Sequence, residues 1–456
     1  MPVMIAPRSI AGNSRIGSNH PPADCGYVPP LRTTATPKAA RRHQTPSMEH
    51  RRKQRARHHR EAHQAHPGDA AQPPLKHPFV PQNEPTLIRD QERYVELVHH
   101  LRSKPMFAFD TEFIGEVTYF PKTCLVQVAT EEQVALIDPF AIRDLSAIWE
   151  LVADPLRITI VHAGASDLSP VRRALGKEPE GIIDVQVAAA FLGMNYPASL
   201  GKLVERFAGH PLTKGHTFTD WDARPLSGQQ LRYAADDVRY LPLLWLQMGR
   251  ELEKGGRLPW AYRETISRLE DPHLFDAKIH MRRASRGYDL TGAQEKLLEA
   301  LCTLRDKIAL EMDQPHRATI PDGALLEIVR DRPETKEAIA AVRGMPRPIV
   351  VRFGEKFLDI LKANPSEKTE WFAIRKRRED EQSIRERVDR MLAAGHAKAT
   401  ELGIATTLAL TRGDLERHSR RRRQIVERGE AAPPVFDEGD WRNEAFGDAV
   451  DRAWEG

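Results

Sequence analysis

The stretch Met106-Phe107-Ala108-Phe109-Asp110-Thr111-Glu112-Phe113 drives an apolar run into two carboxylates one residue apart and closes on a large aromatic. A strand presents alternate residues to alternate faces. Asp110 and Glu112 therefore leave the same face, at the end of a segment that otherwise reads as core. Two like charges held together repel, and burying them is costly unless a cation compensates. Magnesium and manganese are the usual compensators for an all-oxygen ligand set. On this stretch alone, the alternative is a strand end that opens into a polar loop.

The rest of the chain sets the context. Its 456 residues leave room for two or three domains. No apolar run is long enough to span a bilayer. Cys25, Cys124 and Cys302 lie far apart, without metal-type spacing or a disulfide framework, which suits a reducing cytoplasm. Residues 1–77 carry 13 Lys or Arg against 4 Asp or Glu, a net of +9. Against an overall +4, the remainder is −5. The basic balance thus belongs to a Pro-, His- and Arg-rich tail without hydrophobic periodicity, expected to be disordered over about 1–80. A solvated extension, an RNA-binding arm, a start at Met48 and a transit peptide are its competing readings.

From Thr86 onward the pattern becomes globular. Asp90–Ser103 reads as an amphipathic helix, with Tyr94, Leu97, Val98 and Leu101 at helical spacing. Three strands follow as a meander: the opening stretch, Thr123–Thr130 and Gln133–Asp138. Leu145–Val152 reads as a helix, Arg157–Val161 as a strand and Ile182–Asp184 as another, before the helices Val185–Leu192 and Ser199–Ala208. Ser227–Lys254 reads as one long helix with Ser227 as its N-cap. The expected fold class is α/β, a mixed sheet with helices on both faces. After about Asp276 only helices are expected. The expected divisions are an α/β domain at 81–275 and helical units at 284–366 and 370–456.

Two later features join Asp110 and Glu112. His162-Ala163-Gly164-Ala165-Ser166-Asp167 follows an apolar strand and sets an acid at the start of an expected helix. Tyr233 and Asp237 lie four apart within the long helix and share a face. Alone, the first reads equally as an acidic cap and the second as a hydrogen-bonded core pair, with Asp236 as the more exposed neighbour. Four carboxylates converging on one cleft make little structural sense without cations. Together they can hold two divalent ions roughly 3.5–4 Å apart, the arrangement for in-line attack on phosphodiesters. Tyr233, with an ordinary pKa near 10, would orient the attacking water rather than act as its base.

In this order and spacing the motifs resemble the DEDD superfamily of 3′–5′ exonucleases, in its tyrosine-containing branch, and most closely the ribonuclease D family. The resemblance rests on Phe109–Phe113, His162–Leu168, Thr219–Leu226 and Tyr233–Leu241, and spans about residues 83–445. It implies a ribonuclease-H-like catalytic domain, with Asp110, Glu112, Asp167 and Asp237 binding two divalent metal ions, Mg²⁺ or Mn²⁺. It implies that Tyr233 positions the water, and that Phe113, Gln127 and His162 touch the substrate's terminal nucleotides. Arg305-Asp306-Lys307, Pro315, Ile320–Leu326 and Val342–Met345 resemble an HRDC domain, and Gly403–Leu415 with Trp441-Arg442-Asn443 a divergent second copy.

In the family such modules help to bind structured RNA. Here residues 285–365 balance 13 Lys or Arg with 13 Asp or Glu. Better candidates for phosphate contact are Arg375–Arg378 and Arg417–Arg423, with solvated helix faces as the plain alternative. The implied function is a metal-dependent exoribonuclease that trims the 3′ ends of precursor tRNA and other structured RNA, as a monomer in the cytoplasm without a membrane partner. The alternatives are a 3′–5′ DNA exonuclease and a non-catalytic RNA-binding scaffold.

Overall fold

The computed structural model describes residues 73–455 apart from 116, 213–219, 271–274, 287, 289, 366–377, 427, 428, 430, 432, 437 and 438. Nearly all of the basic tail, Arg375–Arg377 and Thr219 therefore lie outside the described residues, as do the side chains of Arg378, Arg417, Arg420, Arg421 and Arg423.

The first part of the chain runs β1 (Thr86–Ile88), α1 (Gln91–Arg102), β2 (Met106–Ile114), β3 (Lys122–Ala129), β4 (Val134–Ile137), α2 (Ser146–Val152), β5 (Ile158–Val161), α3 (Ser169–Leu175), β6 (Ile182–Asp184), α4 (Val185–Ala190) and α5 (Leu200–Ala208). It continues through α6 (Gly228–Arg239), α7 (Leu241–Lys254) and α8 (Leu258–Arg268). The strands form one sheet in the order β1-β4-β3-β2-β5-β6. The β2–β3–β4 meander is antiparallel, while β1 pairs with β4, β5 with β2 and β6 with β5 in parallel. The carboxyl ends of β2, β5 and β6 thus share one edge of the sheet, where ligands gather in mixed α/β folds.

Alternation along β2 separates the two faces. Phe107 and Phe109, with Val126, Val128, Ala135 and Ile137, pack against Tyr94, Leu97, Val98 and Leu101 of α1 and Ile148, Trp149, Leu151 and Val152 of α2. Ala108, Asp110 and Glu112 leave the opposite face, against which α6 packs.

Three local expectations change. Strand β1 is an addition, too short to carry a period of its own. The long helix at 227–254 is two helices meeting at Tyr240. Pro242 sits in the first turn of α7 and has no N–H to continue the ladder. Asp167 lies in the turn ahead of α3, whose first residue is Ser169, rather than at a helix start. Ser227 does cap α6. Its hydroxyl accepts from Gln230 N at 3.2 Å, and Gln230 Oε1 accepts from Ser227 N at 2.9 Å.

The second part is helical among the described residues: α9 (Ala277–Ala284), α10 (Gly292–Glu311), α11 (His316–Thr319), α12 (Asp322–Asp331), α13 (Lys336–Ala341) and α14 (Arg347–Ala363), all but the short α11 contributing to one apolar core. Then come α15 (Arg378–Glu401), α16 (Thr406–Ala409), α17 (Arg412–Val426) and α18 (Trp441–Glu455). No helix among the described residues is long and apolar enough to cross a membrane.

Both helical segments touch the α/β part. Tyr119, in the loop after β2, donates its hydroxyl to Asp306 Oδ1 at 2.5 Å and its N–H to Asp313 Oδ1 at 3.1 Å. The last helix is held through Glu264 of α8, only 2% exposed. That carboxylate accepts from Arg268 Nε at 2.6 Å, Arg442 Nη2 at 2.8 Å and the Trp441 indole at 2.7 Å. Removing one member of a buried, hydrogen-bonded charge cluster strands the others. Glu264→Ala should therefore cost about 3 kcal/mol or more and lower the denaturant midpoint. Deletion of the more exposed Glu444 partner of Arg263 should cost under about 1 kcal/mol. Equal effects would show that Glu264 does not clamp the last helix.

Candidate active site

The site is built at the end of β2. Asp110, Glu112 and Asp237 offer carboxylate oxygens that all lie within 4.8 Å of one another. Two come from one strand face, as their spacing requires. The third comes from α6, more than a hundred residues later. Asp237 rather than Asp236 faces the cluster. The Asp236 carboxylate instead pairs with Arg239 at 3.3 Å and is about half exposed.

Asp167 reaches the same place by a different route. Strand β5 pairs with β2 only as far as Ala108↔Ile160. Beyond that point Asp167 Oδ1 takes the N–H of Thr111 at 3.2 Å and its hydroxyl at 2.6 Å. The side chain thus replaces a ladder bond that the strand no longer supplies. Asp167 stands outside the tight three-acid group but close enough to press on the pKa of both Asp110 and Glu112.

The loop that carries Asp167 is pinned from below. Asp184, at the end of β6, accepts from Ala163 N at 3.1 Å and from Gln186 N at 2.8 Å. Ala163 adopts a left-handed φ of 57°, so the backbone is bent here against its preference. Gly164 follows because any Cβ would lie 2.6 Å from the Val161 side chain. His162 is half-buried, with Nε2 at 2.9 Å from Ala198 O. Phe113 is half-buried on β2. Gln127 is wholly buried, and its amide has no hydrogen-bond partner.

The segment ahead of α6 is also fixed. Arg224 grips the 1% exposed Asp138 with Nε and Nη2, each at 2.9 Å, and donates to Cys124 O, Trp221 O and Ala223 O. Trp221, buried, packs with its ring 6.2 Å from that of Tyr233. These supports were not visible in sequence. Thr111 sits between the two acids and Asp184 ends an apolar strand, but nothing in one sequence says which backbone groups they serve.

The electrostatics follow from this crowding. Burial first, then the Asp237 and Asp167 carboxylates, push Glu112 up to about 9. Burial, Asp236 and Asp167 push Asp237 up to about 7, although the Tyr233 hydroxyl donates to it. Burial holds Asp167 at about 6 against the two Thr111 hydrogen bonds. Asp110 is raised well above the carboxylate range by burial, then by Asp167, Asp237 and Glu112. Burial, then Asp237, Glu112 and Asp110, raise Tyr233, so its phenol keeps its proton. An all-oxygen donor set that repels itself when ionised fits a hard divalent cation.

Known proteins resemble the chain over both its α/β and its helical part. A family model described as 3′–5′ exonuclease matches residues 85–253, and an HRDC domain model matches residues 294–361. The chain is 36% identical over 266 residues to ribonuclease D of Sphingobium indicum, covering 57% of this chain and 67% of that one. It is 30% identical over 346 residues to ribonuclease D of Pseudomonas paraeruginosa, covering 74% and 90%. The crystal structure of Escherichia coli RNase D, an exoribonuclease involved in structured RNA processing, superposes with a TM-score of 0.67 at 25% identity, over 81% of this chain and 98% of that one.

Two outcomes follow from the acids. Each binds its proton more tightly folded than unfolded, where carboxylates titrate near 4. Protonation therefore favours the fold, and stability falls as pH climbs from about 5 to about 9, through the raised values of Asp167, Asp237 and Glu112. Thermal scans in EDTA should show the midpoint falling across that window, and saturating Mg²⁺ should flatten the slope. A flat midpoint in EDTA would mean the acids do not share one buried site. Second, Thr111→Val removes a hydroxyl bond to an ionised group, worth roughly 1.5–3 kcal/mol. Turnover should drop about tenfold to a hundredfold, with Thr111→Ser restoring most of it. Unchanged turnover in the valine variant would mean Asp167 needs no such anchor.

Proposed function

The chain belongs to the ribonuclease D family of 3′–5′ exoribonucleases, and on that premise we propose that Asp110, Glu112, Asp167 and Asp237 form its metal-binding catalytic centre, with Tyr233 as its water-orienting group. The observation that carries the reading is the meeting of Asp110, Glu112 and Asp237 within 4.8 Å, from a strand and a helix far apart in sequence. The acidic cluster supports use of divalent cations, and two ions, Mg²⁺ or Mn²⁺, are the form proposed. When bound, such cations activate a water for in-line attack on the terminal phosphodiester and stabilise the departing 3′ oxygen.

The chain's own groups do the rest. The four carboxylates hold the negative charge that selects cations and places them against the scissile phosphate. Thr111 keeps Asp167 aimed from the strand edge. Tyr233, protonated and hydrogen-bonded to Asp237, is suited to orient the attacking water, since removing its proton among three carboxylates is unfavourable. Attack by water with departure of the 3′ oxygen releases nucleoside 5′-monophosphates. Phe113 and His162 are proposed to touch the terminal nucleotides, Phe113 by stacking.

RNA is the substrate class, and the finer proposal is trimming of structured RNA 3′ ends such as those of precursor tRNA, by a monomer in the cytoplasm. The proposed domains are the exonuclease at 81–275, an HRDC domain at 284–366 and a divergent HRDC-like domain at 370–456. Digestion of RNA labelled at either end, with and without Mg²⁺ or Mn²⁺, tests polarity and cation need together. Asp110→Asn should cut the rate about a hundredfold to a thousandfold, the several kcal/mol that a cation supplies, while RNA affinity stays within about twofold. Trimming by that variant at the wild-type rate would sink the assignment. Matched RNA and DNA overhangs test the sugar preference, with RNA expected to be degraded faster.

A further inference from the structure

Gln127 is 0% exposed, and neither its amide nitrogen nor its amide oxygen has a hydrogen-bond partner. A buried polar group left unpaired costs about 1–3 kcal/mol, and native interiors hold few of them. A leucine or methionine would fill such a place without that cost.

The register says where the amide lies. Gln127 stands directly opposite Asp110 in the β2–β3 ladder and opposite Leu136 in the β3–β4 ladder. Residues directly opposite in an antiparallel pair share a face, with Cβ atoms about 4.5–5.5 Å apart. The neighbours Val126 and Val128 belong to the apolar core on the other face. The Gln127 amide therefore shares the face of Asp110 and Glu112, the face that α6 covers with Tyr233 and Asp237.

We infer that Gln127 is a positioning residue of the cation-loaded site, whose amide completes its hydrogen bonds only when the acids around Asp110 hold a hydrated divalent cation. The chemistry of the amide suits this place better than any ionisable side chain. It offers donors to a carboxylate oxygen and an acceptor to water, and it carries no charge. A carboxylate here would add to the repulsion, and a lysine would compete with the cation. A wholly buried side chain also has no surface to offer a nucleotide. Gln127 thus acts beneath the acids, not on the RNA. The inference rests on the cation site proposed above.

The test is Mn²⁺ binding to wild type and Gln127→Leu by calorimetry without RNA, together with the thermal midpoints of the cation-free proteins. The leucine variant should melt at or above the wild-type temperature and bind Mn²⁺ about tenfold more weakly, or worse. A lowered midpoint with unchanged affinity would overturn the inference, because the amide would then be an ordinary paired core group. If the variant does not fold, the side-chain amide resonance of Gln127 in the wild type decides. It should shift during a Mg²⁺ titration at the concentration where the cation binds, and an unmoved resonance overturns the inference. Equal Mn²⁺ affinities would remove only the role of Gln127, whereas no Mn²⁺ binding by wild type would remove the cation site itself.

Discussion

The organising constraint is the crowding of carboxylates, half-buried or buried, at one end of a sheet. Acids taken out of water and held this close move apart or stay protonated, and the raised pKa values of Glu112, Asp237 and Asp167, set first by burial, record the second response. The fold denies them the first. Each acid is delivered by a rigid element with its own anchor. Asp110 and Glu112 ride a strand paired with β5 up to Ala108 and with β3 from Ala108 to Ile114. Asp167 is tied to Thr111, and its loop to Asp184. Asp237 sits on a helix that begins with a capping box and follows a segment locked by Arg224 and Asp138. The chain stores the unfavourable electrostatics and leaves a cation to relieve them, which is what preorganisation for charge-stabilised chemistry requires.

The helical segments extend this argument. Glu264 ties the last helix to α8, and α8 in turn packs on β6, whose Asp184 N–H reaches the Thr265 hydroxyl at 3.4 Å. Tyr119 ties α10 to the loop that leaves β2. Both helical segments thus contact elements one step from an acid. A module that also held RNA would do so against the frame that positions the acids. The family-like residues of α10 and α12 have a structural side as well. Arg305, 1% exposed, joins Asp322 at 2.6 Å and Ile320 O at 3.2 Å, so its charge is spent inside the helical core rather than on phosphate.

Much of this was legible in the sequence because it rests on short periods. The two-residue alternation of β2 put Asp110 and Glu112 on one face, and the four-residue step of α6 joined Tyr233 to Asp237. The order of the motifs carried the family resemblance. What stayed hidden depends on partners distant in the chain. Nothing local to Thr86–Ile88 marks it as a strand, since among the described residues it pairs with β4 alone. Pro242 sits among strong helix-formers, so the periodicity runs on through the break at Tyr240. The anchors Thr111, Asp184 and Arg224 act through backbone groups or acids 21 to 100 residues away, and composition carries no trace of such pairings.

Gln127 marks the limit of reading from sequence most clearly. By pattern it is a polar residue inside an apolar strand, between Val126 and Val128, a position open to many explanations. Its significance comes from three facts that only the assembled sheet supplies: the register opposite Asp110, full burial, and an amide without a partner. A fold selected for stability alone would fill that position with carbon. A local rule broken without local compensation is where function is to be sought, and here the break lies against the acids themselves. The same reasoning separates Gln127 from Arg305, which is nearly as buried and leaves its Nε unpaired, but whose charge is met by Asp322 and whose Nη1 also reaches Ile320 O. Burial of a polar group is therefore not the signal. Burial with the hydrogen bonds withheld, beside a set of charges that also lacks its counterpart, is.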